Sequence, residues 1–299
     1  MTRHFALLLP LVVCLCASCR GPSTPEEKAV QAIEALGGRA WATKDETPPG
    51  HPVVVVDLND TNVTDSDLKI LKEFKSLREL NLQRTQITDA GLKNLKELKE
   101  LRVLWLGDTQ ITDAGLKVLK GLEGLQELDI NGTQITDAGL KDLKEIKGLQ
   151  VLDLGFTRIT NAGLKELKEL KGLRKLDLSG PQITDADLKD LKEIKGLQEL
   201  HLGLQITDAG LKDLKELKGL KVLDLDGYSI TDAGLKDLKE LKNLQRLVFS
   251  GSPTKITDAG LKDLKELQGL QELDLSDTKI TAAGLKDLKQ ALPKTNIYH

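Results

Sequence analysis

One stretch decides the fold: residues 125–148, with the sequence LQELDINGTQITDAGLKDLKEIKG. In its first part, Leu128 and Ile130 alternate with polar neighbours. Such alternation predicts a short strand whose two apolar side chains point inward. A loop that contains Gly132 follows, and it leads directly into a differently spaced pattern.

The second part of the stretch predicts a helix. Thr136 stands where an N-cap belongs, and Asp137 suits the positive end of a helix dipole. Gly148 marks the stop. The apolar residues that share one helical face are Leu140, Leu143 and Ile146.

This strand–loop–helix unit recurs along the chain. Isoleucine or valine followed by threonine marks each copy, at a step of 24 residues, with one step of 23 and one of 26. The markers are Val63, Ile87, Ile111, Ile135, Ile159, Ile183, Ile206, Ile230, Ile256 and Ile280. A period in the twenties with an LxxLxL strand indicates a solenoid, in which each unit folds only by stacking on its neighbours. A coiled coil is excluded because glycines interrupt every unit after the first and no heptad is sustained.

Residues 53–299 resemble bacterial leucine-rich-repeat proteins of the ribonuclease inhibitor-like horseshoe class, with ITDAGL-type repeats. The resemblance implies an α/β solenoid with parallel strands on the concave face and helices on the convex face. The repeats are also similar to those of F-box substrate receptors of ubiquitin ligases, although threonine stands where that family has cysteine. Such motifs identify a fold, and a fold does not determine a function.

The remaining segments predict two caps. Residues 26–52 form an N-terminal cap, with a helix from Glu26 to Leu36, a strand from Arg39 to Thr43, and a turn at Pro48. The domain of ten repeat units then occupies 53–299, where Ile297 takes the place of a final strand leucine.

The N-terminus predicts export. Arg3 and His4 precede an apolar run, and Ala17-Ser18 stand before Cys19, which is the anatomy of a signal peptide over residues 1–19. An apolar run of about 12 residues is shorter than the roughly 20 that span a membrane. The segment resembles that of a bacterial lipoprotein, which implies acylation of Cys19 as a membrane anchor, followed by a tether over residues 20–25. Plain secretion and an uncleaved tether are the alternatives.

The composition and the motifs limit the classes of function that we expect for this protein. The formal net charge of -3 predicts no nucleic-acid binding, because that needs a concentrated basic face. No phosphate-binding loop, HExxH or GxSxG motif is present, so we expect no enzyme, no cofactor and no metal site. His201 has Asp177 and Asp224 as neighbours on adjacent levels, and neither level adds a serine in the same column, because Ser179 lies two residues after Asp177 on the strand of Asp177.

The strand residues that flank the inward leucines should face the concave side. The middle column is Asp57, Asn81, Trp105, Asp129, Asp153, Asp177, His201, Asp224, Val248 and Asp274. The preceding column is Val55, Glu79, Val103, Glu127, Val151, Lys175, Glu199, Val222, Arg246 and Glu272. Acidic residues far outnumber basic ones in the two columns. This excess predicts either a solvated face or a docking face for a basic protein partner.

Departures from the repeat template are the best pointers to a site. Trp105 replaces a column acid and has Val103 on its own strand, and tryptophan is a frequent interface anchor. Phe156 and Tyr228 replace small or polar residues at the strand-to-helix edge, Leu204 marks the deletion, and Ser250 to Lys255 hold the insertion.

These observations favour a non-enzymatic protein-binding scaffold that acts outside the cytoplasm through its concave face. Its predicted partner-binding residues are Trp105, Val103, Asp129, Asp153, Asp177, His201 and Asp224. A cell-envelope or polysaccharide-binding module and an F-box-like ubiquitin-ligase adaptor are the alternatives. The oligomeric state is not predicted.

Overall fold

The computed structural model describes residues 24–42, 51–226, 229–250 and 255–299. The predicted signal peptide with Cys19, the tether up to residue 23, the predicted turn at Pro48, Tyr228 and most of the 250–255 insertion lie outside the described residues.

One sheet runs through the whole described part of the chain, and its strands follow one another in sequence order. Strand β1 pairs antiparallel with β2, and every later pair is parallel. The strands are β1 Arg39–Trp41, β2 Val55–Asp57, β3 Glu79–Asn81, β4 Val103–Trp105, β5 Glu127–Asp129, β6 Val151–Asp153, β7 Lys175–Leu178, β8 Glu199–Leu202, β9 Val222–Asp226, β10 Arg246–Ser250, β11 Glu272–Asp274 and β12 Asn296–Tyr298. The predicted α/β leucine-rich-repeat solenoid is confirmed.

A helix follows most of the strands and forms the convex layer. The helices are α1 Pro25–Ala35, α2 Asp89–Leu92, α3 Asp113–Leu119, α4 Asp137–Leu143, α5 Asn161–Leu164, α6 Asp185–Leu188, α7 Asp208–Leu214, α8 Asp232–Leu238, α9 Leu261–Leu264 and α10 Ala282–Ala291. Short 3₁₀ turns occupy Asp67–Glu73, Lys93–Leu95, Lys165–Glu169 and Leu191–Glu193. In the described part of the chain, none of these helices is long and apolar enough to span a membrane.

The core is a stack of aliphatic layers. In the quoted unit, Leu128, Ile130, Leu140 and Leu143 are completely buried, as the alternation and the helical spacing predict. The observed helix is shorter than the predicted one, however. It ends at Leu143, and Ile146 is buried from a turn in which its N–H donates to the Leu143 carbonyl at 2.9 Å.

The threonine and aspartate of each unit link neighbouring repeats. Thr136 caps α4 as predicted, since its side chain accepts from the N–H of Ala138. Its own N–H and hydroxyl donate to both carboxylate oxygens of Asp113, one repeat earlier, at 2.8 and 2.6 Å. The aspartate is therefore an acceptor for the next repeat, beyond the helix-dipole role that the sequence suggests. The other Asp–Thr links are 65–88, 89–112, 137–160, 185–207, 208–231, 232–257 and 258–281.

These links explain the glycine of ITDAGL. A Cβ atom on Gly139 would lie only 2.5 Å from Oδ1 of Asp113, so the linking carboxylate leaves no room for a side chain. The series is interrupted once, where Asn161 replaces the aspartate and Asp187 replaces the glycine of the following unit. Asp187 accepts from the N–H and hydroxyl of Thr184 in its own repeat, at 2.7 and 2.8 Å.

At the two ends of the series of Asp–Thr links, one linking partner is missing, and the residues at the linking and glycine positions change accordingly. The first repeat has no preceding aspartate, and its Asp67 takes the glycine position and accepts from Thr64. Hydrogen bonds from the side chain and backbone of Thr64 lower the pKa of Asp67. In the last repeat, Ala282 stands where the others have the linking residue, and β12 rather than another threonine-capped helix follows it.

The N-terminal cap closes the first repeat. Helix α1 begins at Pro25, one residue before the predicted start, and Thr24 and Glu27 form a capping box. The carboxylate of Glu26 accepts from the N–H of Val53 at 2.8 Å. The predicted cap strand is shorter than expected and pairs antiparallel with β2, which covers that edge of the sheet.

Candidate functional site

The predicted concave columns are in register. Trp105, Asp129, Asp153 and Asp177 are successive cross-strand partners. His201 and Asp224 continue the same line on β8 and β9. Val103 lies in the adjacent column, opposite Glu127. Parallel strands lie about 4.8 Å apart, so the structure brings all the predicted partner-binding residues onto one continuous surface.

The column aspartates also have a structural role that the sequence analysis missed. One carboxylate oxygen of each accepts the N–H two residues ahead, at 3.0 Å for Asp129, 2.9 Å for Asp153 and 2.8 Å for Asp177. These contacts end each strand in an Asx-type turn. Part of the repetition of aspartate is therefore explained by the fold, and the second carboxylate oxygen of each is left for other contacts.

The middle of the column concentrates negative charge. Burial raises the pKa of Asp153 to about 7, and repulsion from Asp177 adds to the effect. Burial also raises the pKa of Asp129, against hydrogen bonds from Asn131 and Gln83. The Gln83 amide reaches Asp129 from two repeats away, at 2.7 Å. Ionising Asp153 is thus unfavourable in the free protein because burial and repulsion from Asp177 outweigh the attraction to His201.

His201 lies in a ring of carboxylates. Its Nε2 contacts Oε1 of Glu199 at 2.8 Å, and its Nδ1 is 3.7 Å from Asp177 and 3.8 Å from Asp224. Burial opposes ionisation of Glu199, but hydrogen bonds from Lys175 and His201 outweigh it and lower the pKa of Glu199. Glu199 is absent from the predicted site, although its position two residues before His201 on the same face could have revealed it.

This arrangement is suited to binding rather than to nucleophilic catalysis. Ser179 does come close, since it lines the same cavity as His201 and Asp224. Both imidazole nitrogens nevertheless face carboxylates. The hydrogen bond that the structure shows for this imidazole is with Glu199, whereas an activated serine requires one between its hydroxyl and the base.

Trp105 is held in place by its neighbour. Its indole N–H donates to Glu127 at 2.8 Å, and the side chain is half-buried on the concave face. The more exposed aromatic residue is Phe156, whose exposed fraction is 64%. The sequence singles out Phe156 as a departure from the template but does not place it in the site.

Phe156 has an unusual backbone conformation. Its φ is 52°, in the left-handed region, where a bulky side chain is strained and glycine, asparagine or aspartate is preferred. Equivalent turns use Asp60, Arg84, Asp108 and Gly132. Strained residues that persist without a packing benefit tend to occur at functional sites.

A small cavity lies at the edge of the concave face beside Phe156. It measures about 120 Å³ and is lined by Phe156, Ser179, Gly180, His201, Leu202, Gly203, Leu204 and Asp224. The one-residue deletion lets Gly203 pack directly on the Gly180 backbone, where a Cβ atom would overlap it. Leu204 is left 39% exposed. The cavity therefore has an apolar rim and an acidic wall.

No cluster of ligands in the described ranges is arranged to hold a metal ion. The aspartate column places one carboxylate per strand along a line, whereas calcium needs six to eight oxygens around one point.

Comparison with known proteins is consistent with this architecture. Two family descriptions, both of leucine-rich repeats, match residues 75–135, and residues 149–168 and 268–289, respectively. No curated protein matches the chain significantly. Among solved structures, an internalin (inlF) from Listeria monocytogenes is 19% identical over 92% of this chain and 95% of its own, with a TM-score of 0.41. A leucine-rich-repeat protein from Leptospira interrogans is 20% identical over 77% of this chain and 74% of its own, with a TM-score of 0.42.

Likeness at these levels does not transfer the partners of either protein. The matched segments are leucine-rich repeats, and the sheet and helices extend the same unit between and beyond them. The architecture is that of a leucine-rich-repeat solenoid.

Proposed function

We propose that this protein is a binding scaffold that engages a basic protein partner through its concave face. Proteins built from leucine-rich repeats generally mediate protein–protein interaction, because a stacked array presents an extended curved surface. The choice of a basic partner is supported by the charge of that surface, and above all by the raised pKa of Asp153. A cation brought by a partner would favour the ionised form of Asp153 and relieve its repulsion with Asp177.

The two columns of the concave face differ in a way that supports this assignment. In the preceding column, Lys175 pairs with Glu199 at 2.7 Å and Arg246 pairs with Glu272 at 3.1 Å. In the middle column, Asp129, Asp153 and Asp177 are adjacent without an intervening base. The uncompensated charge is therefore concentrated along the centre of the surface, where a partner would exclude the most water.

Replacing both Asp153 and Asp177 by asparagine should weaken partner binding. The change removes the charge of Asp177 and the ionisable carboxyl group of Asp153 while preserving side-chain shape, and it should mainly slow association and reduce the salt dependence. Binding by the parent protein should also be tighter above pH 7 than below it, because Asp153 becomes ionised. The pH effect should shrink in the double variant.

The measurement is quantitative capture of proteins from extracts of the producing organism, followed by binding kinetics at two salt concentrations. A matched control carries Glu240→Gln and Glu266→Gln, which remove two charges in the turns that follow α8 and α9, where they pair with lysines. A partner lost equally from both variants, or from neither, would count against concave-face binding.

We further propose that the protein is exported and anchored to a membrane by acylation of Cys19, with plain secretion as the alternative. This proposal is supported by the apolar run and the small residues before Cys19. More than one acyl chain gives lasting attachment to a membrane, whereas a single chain binds only reversibly.

Cys19→Ala should move the protein from the membrane fraction to the soluble fraction. Fractionation of cells expressing the parent and the variant, with a mass measurement of the mature N-terminus, checks this. Cys14→Ala is the matched control, since it changes a cysteine earlier in the same segment. Membrane association that survives Cys19→Ala would reject the lipid anchor.

A further inference from the structure

We propose that the cavity between Phe156 and Asp224 receives one arginine side chain of the protein partner. This inference rests on the proposed function and deepens it, because it assigns a specific contact to a surface otherwise described only by its charge. It adds Phe156 and Leu204 to the predicted site.

The size of the cavity fits a single side chain. Its volume is about 120 Å³, well below the several hundred Å³ of typical small-molecule sites. It opens beside the concave face, next to the aspartate column, and the backbones of Gly180 and Gly203 form its floor. A partner lying along the column could insert one long side chain there without leaving the acidic surface.

The apolar rim fits the aliphatic stem and the flat face of an arginine. Phe156 and Leu204 are 64% and 39% exposed, and Tyr298 is the other large apolar residue so exposed among those the structure describes. A guanidinium over an aromatic ring gains a cation–π interaction. The methylene stem of the arginine can cover Leu204 while its charged guanidinium group stays in a polar environment.

The acidic wall supplies the matching charge. Asp224 and His201 line the cavity, and Oδ2 of Asp177 lies 3.7 Å from Nδ1 of His201. Asp177, Glu199 and Asp224 surround His201, and Lys175 pairs with Glu199, so carboxylates outnumber the basic side chains at this wall. Arginine fits better than lysine because its planar fork can bind a carboxylate with two hydrogen bonds and can also stack on a ring.

The conformation of Phe156 is the independent observation. An exposed phenylalanine with left-handed φ gains little from burial and is strained. Contact with a ligand over its ring would offset that strain. The equivalent turns carry aspartate, glycine and, once, arginine, so Phe156 is the one aromatic residue in this conformation among the described residues.

The test is an NMR titration of the full chain with N-acetyl-arginine-methylamide. The backbone amides of Ser179, Gly180, Gly203 and Leu204 should shift. The blocked citrulline analogue, which has the same shape without the charge, should bind at least about five-fold more weakly, and the blocked lysine analogue should also bind more weakly. Equal binding of the citrulline or lysine analogue, or shifts confined to other residues, would overturn the proposal.

Variants locate the contact. Phe156→Ala and Asp224→Asn should each weaken arginine binding by about five-fold or more, while Phe156→Tyr retains it. Tyr298→Ala and Glu266→Gln are the controls, since they remove an exposed aromatic residue and an exposed acid away from the cavity. Circular dichroism confirms that each variant is folded.

The outcome is separable from that of the proposed function. If partner capture is lost with the Asp153 and Asp177 double variant but unchanged by Phe156→Ala, the concave face remains the binding surface and the arginine site is rejected. If blocked arginine binds the cavity as described but partner capture is unchanged in the Asp153 and Asp177 double variant, the arginine site is supported and the broader concave-face assignment is rejected.

Discussion

Leu143→Asp is expected to split the repeat array into two weakly coupled halves. Leu143 is completely buried in a central layer, at the end of α4. An unpaired carboxylate there loses its hydration without gaining a partner, which costs on the order of 3–5 kcal/mol. Because each repeat contacts only its neighbours, the damage should remain local and interrupt the coupling between the repeats on either side.

The measurement is urea unfolding followed by circular dichroism, together with amide hydrogen exchange. We expect a lower or divided transition, and faster exchange in the repeats that pack on α4. Lys141→Asp is the matched control because it introduces the same residue at an exposed position of the same helix, and it should change stability by less than about 0.5 kcal/mol. A single unaltered transition for Leu143→Asp would show that this layer is not buried.

The second large effect is expected for Gly139→Asp, which should cost about 2–4 kcal/mol because the new side chain meets the Asp113 carboxylate. Combining it with Asp113→Asn should recover much of that loss. The double variant reproduces the natural pair Asn161 and Asp187, in which the second residue accepts from the threonine of its own repeat.

A double-mutant cycle measures this coupling. Urea unfolding of the parent, both single variants and the double variant should give a favourable interaction free energy of at least about 1 kcal/mol. Asp113→Asn combined with Gly234→Asp is the control, since Gly234 packs against the distant Asp208, and its effects should add. Additive effects for the adjacent pair as well would mean that the Asp–Thr link does not determine the glycine.

The repeat architecture could be predicted because its signals are local. The alternation of Leu128 and Ile130 and the spacing of Leu140 and Leu143 specify a strand and a helix within one unit, and the regular period places equivalent residues side by side. The same regularity predicts the concave column, and the observed pairing of Asp129, Asp153 and Asp177 follows it.

Only the tertiary structure showed what those side chains do. The partner of Asp113 is Thr136, 23 residues away, and nothing in the local pattern distinguishes that acceptor from a residue that simply favours a helix dipole. The raised pKa of Asp153 depends on burial and on a carboxylate one strand away. The cavity arises where a one-residue deletion brings the Gly203 and Gly180 backbones together beside an exposed Phe156. Sequence periodicity determines which residues share a level and a face, whereas hydrogen bonds, desolvation and cavities depend on distances between levels, which exist only in the packed array.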